Sequence, residues 1–230
     1  MSIHLSKPRP HYSYDMRNAF HDELDSIGTT LLQMAGLVKI AMVEATTALL
    51  ASDLTIAEKV IAADSVIDDI QHELDARTIN LMARQQPVAS DLRTLVTSLR
   101  MSADLERMGD LAHHVAKQAR MRYPNSAVPA ELVPIITSMG MVADKLIEKL
   151  TVVMEHRDTV RALEIETDDD EMDKLHRDLI EALLADDWTY GIETAIDMTL
   201  LGRYYERFAD HAVSISRRVY FLVTGEFSSN

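Results

Sequence analysis

Residues 104–116 read DLERMGDLAHHVA and residues 204–216 read YYERFADHAVSIS. The element ERxxD spans Glu106 to Asp110 and returns 100 residues later at Glu206 to Asp210. A second acidic element repeats as well: DxxID at Asp64 to Asp68 matches DxxMD at Asp169 to Asp173, 105 residues on. Acids four apart on a helix lie one turn above each other. If the helices that carry them are antiparallel neighbours, Asp64, Asp68, Glu106 and Asp110 meet across one groove, and Asp169, Asp173, Glu206 and Asp210 across another. Four facing carboxylates repel unless a proton or a cation neutralises them. Oxygen-rich ligand sets on rigid helices suit hard or borderline cations, and carboxylates can bridge several ions. Two readings of the residues stay open: divalent or trivalent metal binding, with Fe, Zn, Mn or Mg as candidates, or solvated faces of an acidic helical protein.

The elements that must position these acids are helices. From Phe20 the apolar residues Leu24, Ile27, Leu31, Met34, Val38, Ala41 and Ala45 follow at 3–4 spacing, the mark of a core-facing helix. Ser52 or Asp53 can cap a second helix, whose stripe is Ala63, Ile67, Ile70 and Leu74, and Pro87 stops it. A third helix runs to about Arg122 with Leu105, Met108, Ala112 and Val115 on its core face. The pattern restarts after a Pro-containing break near 123–130. Met139, Ala143, Leu146 and Leu150 mark a fourth helix. Asp158 or Thr159 caps a fifth, with Met172, Leu175 and Leu179, and a sixth runs from Trp188 to about Thr224. The expected fold is all-α: two tandem antiparallel three-helix bundles related by internal duplication. The expected divisions are a loose N-terminal tail over 1–16, a first bundle over 17–123 and a second over 130–224.

On this frame the acids flank the core stripes and do not enter them. The third helix carries further apolar residues, Leu92, Leu95, Val96 and Leu99, on the side where Glu106 later sits. The sixth repeats this with Ile192, Ala195 and Ile196. Both helices are therefore expected to contact a second body, either the other bundle or a second copy of the chain. His113 follows Asp110 by three residues, but its counterpart is Val213, so a solvated histidine is expected; His176, three after Asp173, is similar. Arg107 and Arg207 are placed either to neutralise the acids from the side or to pair locally.

Composition narrows the function. Of 230 residues, 47% are hydrophobic and only 5% aromatic, and there is no cysteine, which excludes disulfides and thiolate metal sites. The formal net charge is -14, which argues against direct nucleic-acid binding and favours cations. No apolar run reads as long enough to span a bilayer, and the N-terminus lacks a signal-peptide core, so a cytoplasmic protein is expected. No Ser-His-Asp spacing, P-loop or glycine-rich phosphate cradle supports an enzyme. A ferritin-like carboxylate-bridged metal enzyme or store is the alternative, but Glu-x-x-His, which that fold uses, does not occur.

QQPVASDLR at 85–93, followed by the duplicated ERxxD helices and preceded by RNAFHDELDSI at 17–27, resembles the PhoU family of phosphate-uptake regulators. The resemblance runs from about Arg17 to Leu222. It implies a multinuclear metal cluster on each bundle: Asp64, Asp68, Glu106 and Asp110 for the first, Asp169, Asp173, Glu206 and Asp210 for the second. It also implies two partners, the ATPase of a phosphate ABC transporter and a phosphate-sensing histidine kinase, with negative regulation of both, and contact with the membrane only through those partners. A homodimer is expected instead from the second apolar face of the third and sixth helices, with packing between the bundles as the other way to cover it. The sequence departs from the family pattern at His114 and Ser214, where Asn is frequent. It also has Tyr204 opposite Asp104, and no second QPxAxDLR.

Overall fold

A computed structural model of the chain describes residues 12–226, with side chains from Asn18 onward. Six long α-helices make the fold: α1 Tyr12–Ala51, α2 Leu54–Gln85, α3 Ala89–Arg122, α4 Val133–His156, α5 Thr159–Leu183 and α6 Gly191–Thr224. A single 3₁₀ turn, Ala130–Leu132, precedes α4. There is no strand among the described residues. The expected N-terminal tail lies outside the described residues as far as position 11, and from Tyr12 the chain is already helical.

Local chemistry sets the helix limits. Asp53 accepts the amide of Ile56 at 3.0 Å and caps α2, and Asp158 accepts the amides of Val160 and Arg161 and caps α5. Gly225, at φ 78°, closes α6 in the left-handed conformation that glycine adopts without penalty. The sixth helix starts three residues later than its apolar pattern suggests. Trp188 instead donates its indole N–H to the carbonyl of Gly191 and holds a turn ahead of the helix.

Helices α1, α2 and α3 pack on one another, and α4, α5 and α6 do the same. The two bundles join through α3 against α6 and α1 against α4. The 3–4 stripes are the core: Ile27, Met34, Val38, Leu74, Leu105, Met108, Met139, Leu146, Met172, Leu179, Tyr205 and Phe208 are all buried. Ala63 of the expected α2 stripe is exposed. Helix α1 is long and apolar enough over Asn18–Ala51 to cross a membrane, which corrects the sequence reading that no such run exists. Its apolar residues, however, are committed to the core of the first bundle.

The second face of α3 and α6 is only partly covered. Leu95, Met198 and Leu201 are buried, while Leu92, Val96, Ile196 and Ile192 stay exposed, the last to 81%. Polar contacts lock the bundle boundary. The fully buried Tyr205 hydroxyl meets Thr46 Oγ1 at 2.8 Å, joining α6 to α1. Arg122 donates to Asp197 and Glu193, each at 2.6 Å. Asp104 receives Arg218 at 2.8 Å and His211 at 3.0 Å. Burial alone would raise the Asp104 carboxyl, but those two donors outweigh it and hold the group below its ordinary range.

Candidate metal centres

The eight acids fall into two clusters, one in the α2–α3 groove and one in the α5–α6 groove. Helix approach is close at both. A Cβ on Gly109 would stand 3.0 Å from Cδ1 of Ile67, and one on Gly202 would stand 2.6 Å from Cδ2 of Leu179. These glycines let each helix pair draw together beside its acids.

In the first cluster Asp64 and Asp68 of α2 face Glu106 and Asp110 of α3. Burial and the nearby charges of Asp64 and Asp110 raise the Asp68 carboxyl. Burial and Asp110 raise Glu106, opposed by the Arg107 guanidinium. Arg107 donates to Asp110 at 2.8 Å and stands 3.7 Å from Glu106. His113 is not the solvated side chain expected. It is mostly buried, its Nδ1 is in contact with an Asp64 oxygen, and its Nε2 is buried without a hydrogen-bond partner. The expectation failed because it weighed the missing counterpart at Val213 above the position itself, three residues past Asp110 on the acid-bearing side of α3.

In the second cluster Asp169 and Asp173 of α5 face Glu206 and Asp210 of α6. Burial, then Asp173, Asp210 and Glu206, push the Asp169 carboxyl up to about 7. Burial and Asp210 raise Glu206 as well, opposed by Arg203 and His176. Arg203, not Arg207, pairs with Glu206, and Oε2 of Glu206 is buried without a partner. The neutralising arginine thus lies three residues before the acid, where the first half has Ala103.

Each set is a cleft of mutually repelling carboxylates, and in each, one acid from either helix, Asp68 and Glu106 in the first and Asp169 and Glu206 in the second, has its proton affinity raised. That is the behaviour of a site short of positive charge. Among the described residues no three His, Asp or Glu side chains gather closely enough to cage one ion. The clefts are therefore open arrays and not preformed single-ion cages. Their donor chemistry, with the orphaned Glu206 Oε2 and His113 Nε2, nevertheless fits a hard or borderline cation.

The PhoU domain model matches this chain twice, over residues 31–119 and 136–219. The chain belongs to the PhoU family. The two matches fall on the α1–α3 and α4–α6 units, so the acid repeats sit at corresponding places in two copies of one domain. Phosphate-specific transport system accessory protein PhoU homolog 2 of Mycobacterium tuberculosis is 45% identical over 212 residues, covering 92% of this chain and all of the relative. The PhoU homolog of Rhizobium meliloti is 31% identical, covering 90% of this chain and 88% of the relative. Among solved structures, PhoU from Pseudomonas aeruginosa superposes with a TM-score of 0.82 at 29% identity, covering 90% of this chain and all of that one. The phosphate transport system regulatory protein PhoU from Streptococcus pneumoniae gives 0.81 at 27%, covering 92% and all of that chain. These likenesses confirm the duplicated all-α architecture.

Proposed function

We propose that this chain is a metal-binding regulatory adaptor that restrains phosphate uptake and phosphate-starvation signalling. It acts through the ATPase of a phosphate ABC transporter and a phosphate-sensing histidine kinase, and it is not an enzyme. The observation that carries the reading is 45% identity to a phosphate-specific transport accessory protein over that protein's whole length. The two acid clefts support the metal part: Asp64, Asp68, Glu106 and Asp110 would hold ions in the first bundle, and Asp169, Asp173, Glu206 and Asp210 in the second. His113 orients Asp64, and Arg107 and Arg203 trim the negative charge. A bound cation, with Fe, Zn, Mn or Mg as the candidates, supplies charge neutralisation that rigidifies each helix pair.

The adaptor works from the cytoplasm and meets the membrane only through its partners. Its partner surfaces are exposed helix faces. The exposed residues Ile192, Ile196 and Leu200, four apart on α6, support pairing with a second copy. The test is genetic. Deletion of the gene, in a strain without a second PhoU-family gene, should leave phosphate-starvation genes expressed in phosphate-rich medium. That effect should vanish when the kinase is also removed. Proper repression in the deletion strain overturns the adaptor reading, and metal-dependent oxidase turnover by the purified protein would favour the ferritin-like alternative.

A further inference from the structure

Helices α3 and α6 run antiparallel, so the start of α3 lies beside the end of α6. There the Arg93 guanidinium sits over the Phe221 ring, 5.2 Å from its centroid. Arg93 and Arg100 of α3 and Arg217 and Arg218 of α6 line one cavity of about 260 Å³, together with Thr97 and Ser214. Arg217 donates to Glu166 at 2.6 Å and Arg218 to Asp104 at 2.8 Å. Arg93 and Arg100 form no ion pair among the described residues. Arg93 and Arg100 therefore bring guanidinium charge to this cavity that no described carboxylate pairs, in a chain whose formal net charge is -14. At physiological salt the screening length is about 8 Å, so distant acids do not cancel it.

The internal duplication supplies a control. At the opposite end of the same seam the corresponding positions are Glu193, Leu200, Lys117 and Gln118. That end is closed on itself, because Arg122 pairs with Glu193 and Asp197. Its charges, Lys117 and Arg122 against Glu193 and Asp197, sum to zero. The arginines are therefore a property of one end and not of the duplicated scaffold.

We propose that this cavity binds a phosphoryl dianion, either free orthophosphate or the phosphate of a small phosphomonoester. Guanidinium forks match tetrahedral oxyanions bidentately, and Arg93 and Arg100 bring positive charge to meet the dianion. Thr97 and Ser214 add neutral donors, and the cavity leaves room for a small ester group. The biological meaning, an input through which phosphate status reaches the adaptor, rests on the regulatory reading above; the binding itself does not.

The test is titration calorimetry of the full chain, stripped of metal with EDTA so that the acid clefts hold no ion that could bind phosphate. Orthophosphate and adenosine monophosphate are titrated in turn at about 0.15 M ionic strength. One saturable site per chain is expected. Arg93→Gln with Arg100→Gln should weaken it on the order of tenfold for each arginine removed, with unchanged far-UV circular dichroism. Lys117→Gln, at the opposite end, should leave it unchanged. Saturation by orthophosphate identifies the free ion as ligand, and saturation by the nucleotide alone identifies the ester. Absence of saturable binding by both overturns the proposal, as does affinity unchanged in the double arginine variant. Failure here leaves the deletion phenotype untouched, and a normal deletion phenotype leaves this binding untouched.

Discussion

The two acid clefts share four positions each but not the groups that balance them. In the first, Arg107 holds Asp110 and His113 touches Asp64. In the second, Val213 replaces that histidine, Arg203 serves Glu206, a Glu206 oxygen is left without a partner, and Asp169 is driven up to about 7. Helix spacing after duplication preserved the carboxylates because a four-residue interval places them on one line whatever surrounds them. The balancing cations had no such constraint and moved to different residues. The lesson is that a repeated acidic motif fixes where negative charge gathers, while its strength as a site is set by neighbours that the repeat does not carry.

The largest contrast is expected from the histidine. His113→Ala should weaken metal at the first cleft by about 10- to 100-fold, the usual cost of losing a group that orients a ligand, and leave the second cleft as it was. Calorimetric titration resolving two classes of site would read this. Equal weakening of both classes would break the distinction drawn between them.

A smaller effect is expected from pH. The Asp169 carboxyl is raised in the folded chain, so the folded state holds a proton that the unfolded state has lost. That contribution is full below the unfolded value near 3.8 and disappears as pH rises through about 7. Metal-free protein should therefore lose stability on going from about pH 4 to pH 7, by on the order of 1–2 kcal/mol after discounting for solvent screening. Asp169→Asn should flatten that slope more than Asp68→Asn does. Urea titrations at several pH values, with EDTA present, check both variants.

The smallest contrast lies in the core beside each ERxxD. Tyr205 is buried with its hydroxyl on Thr46, whereas its counterpart Leu105 has no polar atom. Tyr205→Phe should cost about 1 kcal/mol, the net worth of one buried hydrogen bond, because Thr46 keeps its own bond to the Met42 carbonyl. Chemical denaturation measures it.

Much of the fold was legible in the sequence because 3–4 apolar spacing and cap residues are local signals. Asp53 and Asp158 cap the helices where the pattern starts, and Leu105, Met108, Ala112 and Val115 form the core face of α3. The carboxylate positions were legible for the same reason. What was not legible depends on long-range approach. The Asp64–His113 contact joins residues 49 apart, and no half-to-half repeat announces it. Arg203 lies outside the ERxxD motif, which carries only Arg107 and Arg207. The apolar edges at Leu92, Val96, Ile192 and Ile196 read as contact faces, but only their inner neighbours are buried. The arginine cavity was invisible because its four members, 93, 100, 217 and 218, meet only once that seam is formed.

The central claim is that the repeated acids bind metal, and direct metal quantification tests it. Chain purified without a chelating tag and without added metal would be analysed by mass spectrometry beside Glu106→Ala with Asp110→Ala, Glu206→Ala with Asp210→Ala, and the quadruple variant. More than one ion per chain is expected in the unaltered protein, with a partial loss in each double variant. Near-complete loss is expected in the quadruple variant while helix content stays constant, because the acids flank the core and do not build it. Metal content that is the same in all four proteins, or absent from the unaltered chain and not restored by dialysis against Fe, Zn, Mn or Mg, would contradict the account.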